Sequence, residues 1–237
     1  MNNIKTETLI NVLSKMLGAE VTSADYQVTS LQGGTIGDVQ LITGIAHTAC
    51  GSKLPYNVVY KRTNKFERHK DPHSWRREYD LYQSDLGDLF TDSLRWPECY
   101  HAEISDTDNQ LWLEYIEGVS GLEMTPQMYE RAAMELGRFQ GKLYAEQPNV
   151  LQQLANLSNT NYLKDFYMKY RLWPEVYDYI RSDSCELPKK LCKMLIDIDK
   201  QADEIFARIE RLPIVFCHRD FWVTNILCTH QEIGLID

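Results

Sequence analysis

Three consecutive runs of β-branched and aromatic residues lie in the N-terminal third of the chain, at residues 26–32, 39–47 and 56–62. Short segments that contain glycine or proline separate these runs, and such segments form turns between strands. Strands that are joined by short turns pair antiparallel, because parallel pairing needs a longer crossover. The sequence therefore predicts an antiparallel meander, and any fold assigned to this chain must contain it.

A helix is predicted on each side of this meander. The first is amphipathic, because apolar residues recur at helical spacing between Leu9 and Leu17. The second is expected to begin with Asp71 as its N-cap and Pro72 at its first position, where the missing N–H of proline is harmless. Its apolar residues have the spacing of a helix packed on a sheet: Trp75, Tyr79, Tyr82 and Leu86.

The character of the sequence changes after Gly118. Two further strands are predicted before that point, at residues 99–104 and 110–115. A long helix that begins near Pro126 follows it, and residues 162–212 show the periodicity of two or three more helices. The second part of the chain is therefore expected to be mainly helical.

Three short strands are predicted at the C-terminal end, at residues 214–217, 226–228 and 233–236. The change near Gly118 divides the chain into two parts of different character. We predict an α+β fold of two lobes, β-rich over residues 1–117 and mainly helical over residues 118–237.

Composition and charge limit the partners of this chain. It has 34 acidic against 25 basic residues and a formal net charge of -9, which argues against a nucleic acid or an anionic membrane as partner. The six cysteines form no CxxC pair and no zinc-type cluster, so we expect reduced and mostly buried thiols. The N-terminus lacks a basic region followed by an apolar run, and no apolar stretch is long enough to span a bilayer. A cytoplasmic location is the simplest expectation.

The strongest candidates for catalytic and metal-binding residues lie in and just after residues 216–227. An apolar run leads into a loop in which Asp220 and Asn225 stand five positions apart, and a hairpin then delivers Asp237 at the end of a second apolar run. Phosphoryl transfer requires such a set: a carboxylate that accepts the proton of the attacking hydroxyl, and oxygen ligands for the Mg²⁺ ions that neutralise the phosphates. A polar loop with a chance Asp/Asn pair is the ordinary alternative.

This segment resembles the catalytic loop of the aminoglycoside phosphotransferase and choline kinase family, whose fold is similar to that of protein kinases. The resemblance implies that Asp220 is the catalytic base and that Asn225 and Asp237 bind Mg²⁺. His218 would then be a structural member of the loop. Arg219 stands where the small-molecule enzymes usually have glycine, and it matches the His-Arg-Asp form of protein kinases.

Residues upstream match the order that such a fold requires. Gly33, Gly34 and Gly37 lie between the first two strands, where the resemblance implies that backbone N–H groups approach the nucleotide phosphates; a glycine-rich hairpin turn is the ordinary alternative. Lys61 is similar to the strand lysine that contacts these phosphates, although a lone lysine at a strand end is usually solvated. Glu78 falls on or beside the apolar stripe of the following helix, so its carboxylate is expected to be paired, and the resemblance supplies Lys61 as the partner.

Two other segments are assigned smaller roles. Residues 111–118 resemble the hinge between the lobes of such kinases, in which backbone groups from Glu114 to Ile116 hydrogen-bond the adenine edge. The helix that carries Gln140 is similar to the first long helix of the second lobe and is expected to contribute packing. Three charged neighbours of Glu78 are expected on the solvent face: Arg76, Arg77 and Asp80.

Together these residues predict an ATP-dependent phosphotransferase that transfers the γ-phosphate to a hydroxyl of a small molecule, with ATP and Mg²⁺ as cofactors. The acidic balance fits a cationic acceptor. Two alternatives stay open: a protein kinase, and a nucleotide-binding fragment or pseudokinase without catalysis. Because relatives continue past the metal-binding aspartate with helices that complete the acceptor site, we expect a C-terminally truncated member of the family.

Overall fold

The computed structural model describes residues 4–31, 37–67, 72–91, 93–147, 149–150, 164, 167, 173–212 and 215–236. The first six strands are β1 (Val21–Ser30), β2 (Asp38–Thr48), β3 (Lys53–Asn64), β4 (Leu94–Arg95), β5 (Cys99–Ile104) and β6 (Asp108–Glu114). All but β4 form one antiparallel sheet in the order β1-β2-β3-β6-β5. The predicted meander and the two strands after it are therefore confirmed, with bounds that differ by a few residues.

Helix α1 (Thr6–Leu17) covers one face of this sheet. It ends at Gly18, which takes the left-handed conformation with φ 61°. The core between helix and sheet contains Leu9, Val12, Leu13, Ile42, Val58, Tyr60 and Trp112. Because neighbouring residues of a strand point to opposite faces, Lys61 points away from α1 while Tyr60 points towards it.

The opposite face of the sheet carries a short 3₁₀ turn, Ser74–Arg76, and helix α2 (Arg77–Tyr82). The prediction of one continuous helix from Asp71 onward is therefore wrong. Asp71 lies outside the described residues, Pro72 lies in a turn, and a second 3₁₀ turn, Asp85–Leu89, follows α2.

A tertiary contact explains this interruption. Asn109 of β6 is 1% exposed, and its Nδ2 donates to the carbonyl oxygen of Trp75 at 2.6 Å. In a continuous α-helix, that carbonyl would accept a hydrogen bond from the amide of Tyr79. Packing on the sheet thus competes with the helical hydrogen bonds at this point.

Helices dominate the second lobe. Helix α3 (Pro126–Glu146) begins after Thr125, whose side chain accepts a hydrogen bond from the Met128 amide. Three further helices lie in the described part of residues 162–212, as the periodicity predicts: α4 (Trp173–Arg181), α5 (Lys189–Lys200) and α6 (Ala202–Ile209).

Strands β7 (Ile226–Cys228) and β8 (Ile233–Leu235) form the predicted C-terminal hairpin, and β4 pairs with β8 in parallel. A strand of two residues such as β4 leaves too short a pattern to be predicted. The predicted strand at 214–217 is wrong for the described residues 215–217, which form no regular strand. The carbonyl oxygens of Phe216 and Cys217 accept hydrogen bonds from side chains instead.

The second lobe has its own core, built from α3, the hairpin and the segment around β4. Leu86 and Leu94 pack in this core although they precede Gly118 in the sequence. The boundary at Gly118 therefore stays a prediction. None of the helices in the described part of the chain has both the length and the apolar character needed to cross a membrane.

The cysteines are free thiols, as expected, but the expectation that most are buried is wrong. Cys228 is buried, Cys50 is exposed and the other four are partly exposed. The sulfur atoms of Cys185 and Cys192 lie 3.8 Å apart near the start of α5. Cys50 lies in the turn between β2 and β3, where hydrogen bonds, the strongest from Ser52, lower its pKa to about 7.

Candidate active site

Lys61 and Glu78 meet on the face of the sheet that α1 leaves uncovered. The Lys61 Nζ lies 2.6 Å from the Glu78 Oε2, and the two side chains are 8% and 17% exposed. A lysine this deeply buried is tolerated only with an anionic partner. The predicted pair is therefore confirmed as a contact, and the alternative of a solvated lysine at the strand end is wrong.

The three charged neighbours of Glu78 have different surroundings. Arg76 Nη2 lies 2.8 Å from Asp80 Oδ1, so these two side chains pair along one helix face. Arg77 instead donates through Nη2 to the carbonyl oxygen of Cys217, directly before the catalytic loop. The expectation that all three face solvent is wrong for Arg77, because a partner on a distant backbone leaves no pattern in the sequence.

Of the three glycines assigned to the phosphates, Gly33 and Gly34 lie outside the described residues. Gly37, directly before β2, has φ 107°, in a region that favours glycine. A Cβ there would lie 3.0 Å from the Arg62 carbonyl oxygen and 3.2 Å from Thr63 Oγ1. The close approach of β3 therefore accounts for glycine at position 37, and a phosphate contact of the three glycines stays a prediction.

Asp220 and Asn225 are brought together by a tight loop. The Asn225 Nδ2 donates to both the carbonyl oxygen and the Oδ2 of Asp220, each at 3.0 Å. Two backbone bonds close the turn, from Trp222 N to Asp220 O at 2.8 Å and from Asn225 N to Trp222 O at 2.9 Å. Asn225 is 9% exposed, whereas Asp220 is exposed. The carboxylate predicted as the base is therefore exposed to solvent, while the amide that hydrogen-bonds it is buried.

Arg219 has φ 69°, which makes it the one non-glycine residue with positive φ among the described residues. The left-handed region is unfavourable for residues with a Cβ, by roughly 1–2 kcal/mol. Glycine, which has no Cβ, would take this conformation without that penalty. Arginine is accepted here with some backbone strain.

Two polar side chains of helix α3 hydrogen-bond the backbone at and before the catalytic loop. The Gln140 Nε2 donates to the carbonyl oxygen of Phe216 at 2.7 Å, before the loop. The Tyr129 hydroxyl donates to the carbonyl oxygen of Phe221 at 3.2 Å, within it. The interpretation of this helix as packing alone is therefore incomplete, because its polar side chains also position the loop.

The segment after β6, predicted as the hinge, runs across the β7–β8 hairpin. Val119 and Cys228 exchange two backbone hydrogen bonds, each 2.9 Å long. A Cβ at Gly234 would lie 2.8 Å from Ile116 Cδ1, and one at Gly118 would lie 3.1 Å from the Cys228 carbonyl oxygen. A side chain at position 118 would press on the backbone of the hairpin, whereas one at position 234 would meet the end of the flexible Ile116 side chain. The Ile116 side chain is buried against the hairpin, and contact of its backbone with adenine stays a prediction.

The carboxylate of Glu114, at the end of β6, accepts hydrogen bonds from other residues of the protein. Its Oε2 lies 2.5 Å from Arg95 Nη1, and its Oε1 lies 3.0 Å from Arg95 Nη2. The Glu98 amide donates to the same carboxylate at 3.1 Å. Burial alone would raise the pKa of Glu114, but the hydrogen bonds from Arg95 and Glu98 outweigh burial and lower this pKa.

Arg95 links the predicted hinge to the hairpin, because its Nη2 also lies 2.7 Å from Glu232 Oε1. Its hydrogen bonds, first to Glu114 and then to Glu232, raise the pKa of its guanidinium. No motif in the sequence marks this arginine. The adenine contact of Glu114 stays a prediction, and it is limited to the carbonyl oxygen because the Glu114 amide donates to Glu98 O at 2.8 Å.

The donor atoms near Asn225 suit Mg²⁺, which prefers carboxylate and amide oxygens. Because Nδ2 of Asn225 is turned to Asp220, its Oδ1 is the atom that a metal would take; Thr224 Oγ1 lies 3.5 Å from it. Asp237 lies outside the described residues, and the amide of Ile236 donates to Asn225 O at 3.0 Å. Within the described ranges, no group of three or more His, Cys, Asp or Glu is arranged to hold a metal ion.

Several solved structures match nearly the whole chain. A thermostable mutant of aminoglycoside phosphotransferase APH(4)-Ia, in complex with AMP-PNP and hygromycin B, is 12% identical with a TM-score of 0.47, over 97% of this chain and 70% of that chain. Aminoglycoside phosphotransferase APH(3'')-Id from Streptomyces rimosus is 15% identical with a TM-score of 0.42, over 99% and 76%. A protein from Haemophilus somnus named as a fructosamine-3-kinase is 12% identical with a TM-score of 0.45, over 97% and 70%.

Sequence comparison identifies the family. No curated protein sequence matches this chain significantly. The family described as phosphotransferase enzymes, abbreviated APH, matches residues 61–237, from the buried lysine through the catalytic loop to the final aspartate. This match covers well over half of the 237 residues. The chain therefore belongs to the phosphotransferase enzyme family.

Proposed function

We propose that this chain is an ATP-dependent phosphotransferase that transfers the γ-phosphate of ATP to a hydroxyl group of a small molecule. The observation that carries the proposal is the buried Lys61–Glu78 pair, whose charged atoms lie 2.6 Å apart. A buried ion pair gives little net stability compared with apolar packing. A role of the ammonium in binding anionic phosphates therefore explains the pair better than a purely structural role.

The proposed nucleotide site lies mainly in the first lobe. A lysine ammonium has three donor hydrogens, so Lys61 can bind Glu78 and phosphate oxygens at the same time. The further nucleotide contacts are proposed as backbone contacts of Gly33, Gly34, Gly37, Glu114 and Ile116. On this proposal residues 1–117 hold the nucleotide, and residues 118–237 carry the catalytic loop and the acceptor side.

Asp220 is the proposed base. Its carboxylate accepts the proton of the acceptor hydroxyl, while the hydroxyl oxygen forms a bond to the γ-phosphorus and the bond from that phosphorus to the bridging oxygen of ADP breaks. The Asn225 amide orients the carboxylate through Oδ2. Asn225 and Asp237 would hold Mg²⁺, which when bound neutralises charge on the phosphate oxygens.

The first experiment measures ATP binding by calorimetry with and without Mg²⁺. We expect saturable binding that Lys61→Ala weakens at least about tenfold, because a charged contact to phosphate is lost. Lys65→Ala is the matched control: Lys65 is exposed, lies four residues after Lys61 in the chain and has its Nζ 5.9 Å from the centre of the Trp75 ring. Equal affinities for ATP in both variants would remove Lys61 from the site.

The second experiment screens for phosphorylated products with a panel of hydroxylated metabolites and aminoglycosides, and it includes cationic acceptors because of the net charge of -9. A phosphorylated small molecule supports the proposal. ATP binding without turnover on any acceptor would favour a nucleotide-binding protein without catalysis. Phosphate transfer to proteins, with none to small molecules, would favour a protein kinase.

A further inference from the structure

Two neighbouring residues of α2 contact two different parts of the site. Glu78 pairs with Lys61 on the sheet, and Arg77 donates through Nη2 to the carbonyl oxygen of Cys217. Successive residues of a helix point about 100° apart, so one short helix can reach both partners at once. Arg77 and Cys217 are 140 residues apart in the sequence, so this contact joins the two lobes.

The Cys217 carbonyl lies directly before the loop that carries Asp220, so a bond to it can position that loop. Cys217 precedes the loop that places Asp220, and the neighbouring Phe216 carbonyl is held by Gln140 of α3 at 2.7 Å. Two consecutive carbonyls at the entrance of the loop are thus bound by side chains from two helices. One helix, α3, belongs to the same lobe as the loop, whereas α2 belongs to the lobe of Lys61.

We propose that Arg77 is a positioning residue that holds the catalytic loop against α2. The positions of Lys61 and of Asp220 then both depend on contacts with this one helix. The inference rests on the proposed function for its catalytic consequence, although the contact itself does not. A guanidinium bound to a carbonyl is a charge-assisted hydrogen bond, stronger than a neutral one. If α2 moves away from the sheet, the loop loses this support together with the ion pair.

The first test measures amide hydrogen exchange in the protein without nucleotide. The reporters are the Trp222 amide, bonded to Asp220 O, and the Asn225 amide, bonded to Trp222 O. In Arg77→Ala we expect both amides to exchange about tenfold faster or more, because the loop opens locally without unfolding the protein. Arg77→Lys, which keeps a cation that can donate to the carbonyl, should restore part of the protection.

Arg76→Ala is the matched control for this test. Arg76 precedes Arg77 directly, and its guanidinium pairs with Asp80 on the helix rather than with the loop. It should leave the exchange of the loop amides unchanged. Equal acceleration in both variants would mean that loss of α2 itself opens the loop, and it would overturn the assignment. Unchanged exchange in Arg77→Ala would overturn it as well.

The second test uses turnover on an acceptor that the screen identifies. Arg77→Ala should lower kcat about a hundredfold with little change in KM for ATP, because a displaced catalytic group slows the chemical step more than binding. A rise in KM with unchanged kcat would overturn the inference. If the wild type binds no ATP, the proposed function fails, and the exchange experiment still decides whether Arg77 holds the loop.

Discussion

The two halves of the candidate site are built in opposite ways. The Lys61–Glu78 pair is an ion pair whose side chains are 8% and 17% exposed. The Asp220 carboxylate is exposed, and the residue that orients it, Asn225, is a buried neutral amide. Charge is therefore buried at the Lys61–Glu78 pair and exposed at Asp220, and the exposed carboxylate is held by a hydrogen bond from the buried Asn225 amide.

Because of this difference, substitutions at the two places should affect stability and turnover differently. Removing one member of a buried ion pair leaves an uncompensated charge, so stability and binding change together. Removing an exposed carboxylate leaves no buried charge behind, so the change is confined to the reaction.

Asp220→Asn should produce the largest effect and confine it to turnover. We expect kcat to fall about 10³-fold, since loss of a general base removes about 10²–10⁴-fold of rate. The affinity for ATP and the melting temperature should stay close to those of the wild type, because the side chain is exposed. Steady-state kinetics, ATP titration and a thermal melt on the same preparation check all three.

Turnover within a few fold of wild type in Asp220→Asn would contradict the assigned base. A large drop in melting temperature would instead break the contrast between the two halves, because it would make the exposed carboxylate structural. The bond from Asn225 Nδ2 to the Asp220 backbone carbonyl, at 3.0 Å, does not depend on the aspartate side chain and should keep the loop closed in this variant.

Lys61→Ala should show the opposite signature, with stability and binding lost together. We expect the free energy of unfolding to fall by about 3 kcal/mol, because Glu78 is left buried without its cation. The double substitution of Lys61→Met with Glu78→Leu should recover most of this stability and none of the ATP affinity, since apolar side chains replace both charges. Urea denaturation and calorimetry on the single and double variants check these outcomes.

If the double variant recovers stability but not ATP binding, the ion pair is needed for ATP binding and not for folding. The claim that breaking this buried ion pair destabilises the fold is contradicted if Lys61→Ala leaves the free energy of unfolding within about 0.5 kcal/mol of wild type, the range of ordinary surface changes. Lys53→Ala measures that range here, because Lys53 is an exposed lysine at the start of the strand that carries Lys61.

The sequence predicts this fold and the pairing of Glu78 because both depend on local patterns, whereas the choice of Lys61 depends on the family resemblance. The meander, α1 and α3 follow from apolar periodicity, and Glu78 follows from its place beside an apolar stripe. Pairing of Lys61 with Glu78 needed the order of elements that the family resemblance supplies. Such features are encoded over short stretches of chain.

The parts that could not be predicted are contacts between side chains and distant backbone atoms. Arg77 binds the Cys217 carbonyl and Gln140 binds the Phe216 carbonyl. A carbonyl oxygen is present at every residue, so a partner of this kind leaves no signal in the sequence. Arg95 is similar: its carboxylate partners, Glu114 and Glu232, come from separate elements that only the fold brings together.

Glu114→Gln should give a smaller effect that depends on pH. The lowered pKa of Glu114, below its ordinary value of 4.5, means that the ionised carboxylate stabilises the folded state above that pH. This stabilisation is lost as the pH falls through the folded pKa. The wild type should therefore exceed the variant by about 1–2 kcal/mol in free energy of unfolding at neutral pH, and this difference should shrink under acid conditions.

Urea denaturation at a series of pH values measures this difference. Glu103→Gln is the control, because Glu103 is 47% exposed and lies 3.8 Å from the exposed Lys5. Its substitution should change stability by less than about 0.5 kcal/mol at every pH, as exposed ion pairs do. A loss of stability in Glu114→Gln that does not change with pH would contradict a role for the ionised carboxylate. The contact between Glu114 and Arg95 would then stabilise the fold through packing or neutral hydrogen bonds and not through charge.

Substitution of Arg219 should give the smallest effect, and it separates backbone strain from side-chain contacts within the catalytic loop. Arg219→Ala removes the contacts of the side chain and keeps the unfavourable φ of 69°, whereas Arg219→Gly removes both. We expect the glycine variant to be more stable than the alanine variant by about 1 kcal/mol, because the left-handed conformation penalises a Cβ by more than glycine loses through the greater freedom of its unfolded chain. Thermal and urea denaturation of the two variants give this difference directly, without reference to the arginine contacts that both lack. An alanine variant as stable as the glycine variant would mean that the loop relaxes to another conformation when the arginine is removed, and turnover would then fall in both variants because Asp220 follows in the chain.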